Sequence, residues 1–218
     1  MTQTLKISNQ TFILHPSGAA FWEAQDMLLV ADVHFGKATH FRKHGVAIPN
    51  NVISSNFQRI DDITKLFKPT RICFLGDLFH SYINSEWLFF EAWVDTLKAE
   101  VYLITGNHDI IPEHKYEALG IQILEEWIID DFLLTHHPET HDTLFNICGH
   151  IHPGVKLKGS GKQSMRLPCF FKTKDQLIFP AFGDFTGKYI LAPKKEDQVF
   201  AITKKEVICF SATPSSRS

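Results

Sequence analysis

The segment Met27-Leu28-Leu29-Val30-Ala31-Asp32-Val33-His34 decides how the chain is read. A short, uninterrupted apolar run suits a strand covered on both faces. This one ends at once in a carboxylate and an imidazole. The pattern recurs along the chain. Arg71-Ile72-Cys73-Phe74-Leu75 leads into Gly76-Asp77, and Val101-Tyr102-Leu103-Ile104 leads into Gly106-Asn107-His108-Asp109. Phe132-Leu133-Leu134-Thr135 leads into His136-His137, and Phe145-Asn146-Ile147-Cys148 into Gly149-His150-Ile151-His152. Ligands just past the ends of buried strands are where open α/β sheets build their sites. The expected fold class is therefore α/β.

Helical spacing lies between the runs. Residues 51–66 carry Val52, Ile53, Phe57, Ile60, Ile63 and Leu66, with Lys68-Pro69 as the stop. Residues 85–98 carry Trp87, Leu88, Phe90, Val94 and Leu97, and Ser85 is the expected N-cap. A shorter helix is expected over 112–119, ended by Gly120. After Gly154 the chain becomes strand-like with basic and glycine punctuation, including Lys158-Gly159-Ser160-Gly161-Lys162. Hairpins forming a second sheet, packed on the first, are expected there. Residues 1–218 thus read as one domain, with 213–218 a disordered polar tail.

Composition excludes several classes. The chain has 218 residues, is 44% hydrophobic and carries a formal charge of −2. It can bury a core, and it has no global basic field of the kind that coats DNA, although a local basic groove remains compatible. No segment approaches ~20 uninterrupted apolar residues, so no membrane span is expected. The four cysteines form no C-x-x-C pair. Cys73 and Cys148 sit inside apolar runs and read as small buried hydrophobes. With reduced thiols and no export signal in residues 1–10, a cytoplasmic location is expected.

The clusters carry the chemistry. In an extended segment, residues two apart point the same way. Asp32 and His34 are then expected to reach one metal, and His150 and His152 to reach adjacent metals. The two oxygens of Asp77 suit a bridge, and Asn107 offers a neutral carbonyl oxygen. His108 is expected to face the substrate and protonate the leaving oxygen, while Asp109 orients its neighbours. Of His136 and His137, the first is the expected ligand, and His137 is expected on the rim or against Pro138. Each cluster alone is commonplace; G-D, for instance, is an ordinary turn. All five in this order point to two divalent metals about 3.5–4 Å apart, a device for splitting phosphate esters with a metal-held hydroxide. Lys37, Arg42 and Lys43 follow the first pair and suit flanking phosphates. Phe35 and Phe41 read as core rather than as stacking platforms for bases. His15, His80, His114 and His141 read as surface or structural residues.

The five clusters resemble those of the calcineurin-like metallophosphoesterases. The resemblance implies a four-layer αββα sandwich of two mixed sheets and two divalent ions, Mn²⁺ foremost, with Fe or Zn²⁺ also suited to such ligands. It implies one metal held by Asp32, His34, Asp77 and His152, a second held by Asp77, Asn107, His136 and His150, and His108 assisting the transition state. A narrower likeness, covering most of the chain, rests on residues 31–38 with Phe41-Arg42-Lys43-His44-Gly45 and Ile48-Pro49, on Gly149-His150-Ile151-His152-Pro153-Gly154, on Arg166-Leu167-Pro168-Cys169-Phe170, and on residues 180–187. These blocks resemble the ligase-associated DNA-damage-response phosphoesterases, departing at Asp184 where glutamate is usual. They imply a repair-linked phosphodiesterase or endonuclease, with DNA as substrate and a ligase or helicase among its partners. The alternative is a phosphoesterase of small nucleotides, such as a nucleotide pyrophosphatase or cyclic-nucleotide diesterase, which the near-neutral charge favours. The basic residues after His34 favour DNA. A protein phosphatase is disfavoured by the compact chain, and a non-enzymatic module by the complete ligand set.

Overall fold

Alternation along the buried strands separates the cores. The computed structural model describes residues 1–37, 39, 51–158, 163–184 and 186–211. Its first sheet runs in chain order through β1 (Gln3–Ile7), β2 (Gln10–Leu14), β3 (Ala20–Trp22), β4 (Met27–Val30), β5 (Arg71–Leu75), β6 (Glu100–Ile104) and β7 (Gln122–Leu124). It is antiparallel from β1 to β4 and parallel from β4 to β7. Leu29, Cys73, Leu75 and Ile104 face one core, while Leu28, Val30, Ile72, Phe74 and Leu103 face another. The central strands are thus covered on both sides, as their unbroken apolar runs require.

The helices cover the outer face of this sheet. Helix α1 (Asn51–Phe67) packs Phe57, Ile60 and Ile63 there, and α2 (Ser85–Asp95) packs Trp87, Phe90, Trp93 and Val94. Helix α1 ends where Lys68 adopts a left-handed φ of 48° before Pro69. The cap of α2 is Asn84 rather than the expected Ser85: its side chain accepts from the Glu86 N–H at 2.8 Å. Helix α3 (Glu113–Glu117) is shorter than its sequence pattern.

The second sheet orders β14 (Tyr189–Ile190), β11 (Pro153–Lys158), β12 (Ser164–Lys172), β13 (Gln176–Ile178), β10 (Phe145–Cys148), β9 (Phe132–Leu134) and β8 (Trp127–Ile129). Strands β15 (Gln198–Ile202) and β16 (Val207–Ser211) extend it from β12. This sheet is also mixed, with β9, β10 and β13 parallel to one another. The sequence placed the change of sheet after Gly154, but it falls between β7 and β8. Strands β9 and β10 have the same both-faces-buried composition as β4 to β6, so composition alone does not mark the change. Phe132, Leu134, Ile147, Phe170 and Phe200 meet the first sheet in the shared core. The far face of the second sheet buries Cys169, Phe171, Val199 and Ala201 beneath Ile151, Leu191 and Phe210. Among the described residues all helices lie on the first sheet, and none is long and apolar enough to cross a membrane. The sequence expectations for the 213–218 tail and for Phe41 fall outside the described residues.

Leu29 is fully buried where the two sheets meet. Replacing it with Ala should cost about 2–5 kcal/mol, read as a lower midpoint in guanidinium unfolding.

Candidate metal centre

The clusters follow the C-terminal ends of five strands, three in the first sheet and two in the second. Asp32 and His34 follow β4, Asp77 follows β5, and Asn107 and His108 follow β6. His136 follows β9, while His150 and His152 follow β10. Backbone pairing carries the first sheet beyond its strands: the Asp32 N–H donates to the Gly76 carbonyl at 3.2 Å and the His34 N–H to the Asp77 carbonyl at 2.9 Å. The second sheet is tied in by the His150 N–H, which donates to Asp32 Oδ2 at 2.9 Å.

The extended geometry expected for these pairs is not what the chain adopts. Asp32, His34, Asp77, His150 and His152 all have left-handed φ, between 50° and 66°. Such a conformation costs a non-glycine residue roughly 1–2 kcal/mol and is characteristic of functional sites held by surrounding structure. It turns each side chain inward from a sharp bend. Gly76, at φ 79°, lets the His136 ring lie against the backbone: a Cβ there would stand 2.2 Å from His136 Nδ1. A Cβ on Gly106 would stand 2.3 Å from Asp77 Oδ1.

The inward side chains form adjoining sets. Candidate ligand atoms of Asp32, His34 and His152 lie within 4.8 Å of one another, as do those of Asp32, Asp77 and His136, and those of His136, His137 and His150. His34 Nε2 is 3.3 Å from His152 Nε2 and 3.9 Å from Asp77 Oδ2. His136 Nε2 is 3.4 Å from Asp77 Oδ1, 3.2 Å from Asn107 Oδ1 and 3.2 Å from His150 Nδ1. Asp77 therefore faces both groups of histidines, one oxygen to each. The His136 Nδ1 donates to the Leu75 carbonyl at 2.9 Å, which turns Nε2 toward Asp77 and Asn107. His137 is exposed, its ring 4.0 Å from that of His150, which places it at the rim.

The electrostatics fit a cation. Asp32 and Asp77 are almost wholly buried, and Asp32 Oδ1 makes no hydrogen bond although His152 Nε2 stands 3.2 Å away. Burial, reinforced by the Lys37 charge and neighbouring histidines, pushes the His34 imidazole down to about 2, so it is neutral at ordinary pH. Burial also lowers His150, with His137 and His136 adding to the effect against the pull of Asp32 and Asp77. The His34 lone pair is thus left without a proton, and divalent ions bound by N and O donors suit such a set.

Supporting groups fix the loops. The Asp109 carboxylate accepts the N–H groups of Asp77 (2.8 Å), Leu78 (2.8 Å), Phe79 (3.1 Å) and Gly106 (2.9 Å). That is the orienting position expected of it. Burial pushes its carboxyl up to about 6, against the pull of the Gly106, Phe79 and Asp77 N–H groups. His108 is exposed at the mouth, its own N–H donating to Asp77 Oδ1 at 2.9 Å. His80, read from sequence as surface or structural, stands in the site: its ring centroid is 4.4 Å from that of His108 and 5.2 Å from that of His34. Glu86, which the sequence did not single out, is buried and accepts the Gly36 N–H at 2.8 Å and the Thr39 hydroxyl at 2.6 Å, fixing the loop beyond His34. Lys37 lies on that loop, half-buried. Burial lowers its ammonium while the charges of Asp77 and Asp32 raise it. Arg42 and Lys43 lie outside the described residues. Phe35 is fully buried and stacks on Phe57 at 4.2 Å, as core. In the 180–187 block, Phe182 and Gly183 lie against the first cluster, their N–H groups donating to the Ala31 and Asp32 carbonyls at 2.9 and 3.0 Å.

Comparison with known proteins bears on this geometry. A family model described as calcineurin-like phosphoesterase matches residues 27–179. Among solved structures, the chain is similar to the Pseudomonas putida nuclease MPE, with 29% identity over 96% of this chain and 100% of that one and a TM-score of 0.82. It is also similar to the protein of unknown function AQ665 from Aquifex aeolicus, with 18% identity over 58% and 78% of the two chains and a TM-score of 0.44. Yfce, a phosphoesterase from E. coli, matches at 13% identity over 85% and 98% with a TM-score of 0.41. No curated protein matches the chain.

Gly76→Ala should drive the His136 ring from its place. The expected result is a lower thermal midpoint together with weaker metal retention on dialysis, measured against wild type.

Proposed function

The chain belongs to the calcineurin-like phosphoesterase family and is a metal-dependent phosphoesterase, and we propose that it hydrolyses phosphodiester bonds of DNA, in repair, at a site for two divalent cations, Mn²⁺ foremost. The observation that carries the two-cation reading is Asp77, whose oxygens face His34 on one side and His136 on the other. In this reading Asp32, His34, Asp77 and His152 hold one cation, and Asp77, Asn107, His136 and His150 hold the other. The similarity to a Pseudomonas putida protein called a nuclease, spanning nearly the whole chain, supports a polynucleotide substrate. The exposure of Asn107 and His108 at an open mouth suits a long substrate as well.

When bound, two such cations supply Lewis acidity toward a phosphoryl oxygen and lower the pKa of the attacking water. The protein does the rest by position. Asp109 sets the turn that presents Asn107 and His108, holding it through four backbone N–H groups. His108, anchored by its own N–H on Asp77, stands free to donate a proton to the leaving oxygen. Lys37, on the loop fixed by Glu86, adds positive charge beside Asp32 and Asp77 and suits a phosphate oxygen of the substrate.

His108→Ala should lower turnover by about 10²–10⁴-fold, the range of general acid catalysis, while elemental analysis finds unchanged metal. Loss of metal would make His108 a ligand instead. Asp77→Asn should lose both metal and nearly all diesterase activity. The substrate is decided by giving Mn²⁺-loaded protein single- and double-stranded DNA beside bis-p-nitrophenyl phosphate. Hydrolysis of the small diester with DNA left intact would replace the DNA reading with a small-nucleotide one.

A further inference from the structure

A basic strip leads away from the candidate centre along the β11–β12 hairpin. Strand β11 begins directly after His152. Its Val155 and Leu157 pack in the outer core, so Gly154 and Lys156 face the other way. In β12, Leu167 and Cys169 join the same outer core, so Pro168 and Arg166 face with Lys156. The strand register puts Gly154 opposite Pro168 and Lys156 opposite Arg166. On the other side of β11, Lys188 shares this face: a Cβ on Gly154 would stand 3.1 Å from Lys188 Cβ. Lys188 and Pro168 also line one cavity of about 180 Å³ together with His152, so this end of the strip adjoins a candidate ligand.

The charges on this face are uncompensated. Lys156, Arg166 and Lys188 are all exposed, and among the described residues none is paired with a carboxylate. The acid nearest in the cavity, Asp184, is engaged by Arg59 at 3.1 Å and Ser55 at 2.9 Å. Like charges directly opposite on neighbouring strands destabilise a sheet, so folding gives no reason for Lys156 to face Arg166. An anionic ligand does. Lys156 lies four residue steps beyond His152, about 13 Å at the rise of a strand, too far for one phosphate at the centre to reach both.

We propose that Lys188, Lys156 and Arg166 bind successive backbone phosphates of one substrate strand, flanking the phosphate being cleaved. This rests on the DNA reading of the site. The contacts are to phosphates and carry no sequence information. They guide a strand out of the centre along the hairpin and leave the chemistry at the centre unchanged.

The test compares full-length, metal-loaded wild type with Lys156→Ala/Arg166→Ala and with the charge-keeping Lys156→Arg/Arg166→Lys. KM for a single-stranded oligonucleotide is measured across a salt series, beside kcat/KM for bis-p-nitrophenyl phosphate. The double alanine variant should raise KM for the oligonucleotide several-fold. It should also flatten the log KM against log salt slope by about 1.4, at ~0.7 for each phosphate contact on a single strand. Its kcat/KM for the small diester should stay within twofold of wild type, and the charge-keeping variant should restore the slope. An unchanged KM and slope would overturn the strip as a phosphate track. Equal losses on both substrates would also overturn it, as damage to the centre itself. Wild type that cleaves the small diester but never the oligonucleotide would instead remove the DNA reading on which the strip depends.

Discussion

Lone pairs facing lone pairs are the constraint on which the rest of the molecule depends. Asp32, Asp77, His34 and His136 are buried and turned toward one another, with Asn107, His150 and His152 completing the ring. Carboxylates in such surroundings cost several kcal/mol each unless a counter-charge is present. His34, 3.9 Å from Asp77, cannot supply one, since burial holds it neutral. The arrangement is unfavourable as a fold and favourable as a receptor. Its cost is borne elsewhere, in extensive apolar burial and in backbone hydrogen bonds that leave these side chains no alternative position.

The two-sheet architecture is how that cost is met. The first sheet contributes the carboxylates, the amide and one imidazole; the second contributes His136, His150 and His152. Neither half holds a cation-binding set of the composition proposed here. The halves are brought together by a core in which Phe12, Trp22 and Phe132 make close aromatic contacts across the interface. Packing the sheets and assembling the centre are therefore one event. The left-handed bends at five of the candidate ligands can persist because each follows directly on a buried strand, and those at His150 and His152 run straight into another. The Asp109 carboxylate adds a clamp for Asp77 and the loop after β6 that no apolar contact could replace, because it satisfies backbone donors.

The sequence made the strands legible because burial on both faces leaves an unmistakable signature: β4, β5, β9 and β10 fall within the apolar runs, β6 starts one residue before its run at Glu100, and the clusters fall after them. The stop of α1 at Lys68-Pro69 was legible for a similarly local reason. Other features depend on partners distant in sequence. A strand buried on both faces looks the same in either sheet, so the change at β8 was not visible from composition. D-x-H spacing implies co-facing side chains only if the chain stays extended, and here it bends. His80 and Glu86 carry no local motif; His80 matters because β5 brings it beside His34 and His108, and Glu86 because α2 carries it under Gly36. Asn84 preceded Ser85 as a cap because its carbonyl oxygen was already placed to accept the Glu86 N–H.

The formal charge of −2 and a polyanionic substrate are compatible once screening is considered. At physiological ionic strength a charge is felt over about 8 Å, so a phosphate responds to the face it touches and not to the sum over the chain. Several acidic residues are already engaged: Asp61 by Lys65, Glu86 by the Gly36 N–H and the Thr39 hydroxyl, and Asp130 by Gln10 and Gln25. On the hairpin, β-pairing sets Lys156 and Arg166 side by side, and alternation keeps both on the face that runs to His152. Residues far apart in sequence thus make a local field that the whole-chain balance conceals. A near-neutral chain with such a strip would bind nucleic acid weakly except where the centre is also engaged. An enzyme that must release a cleaved strand needs that property more than it needs tight binding.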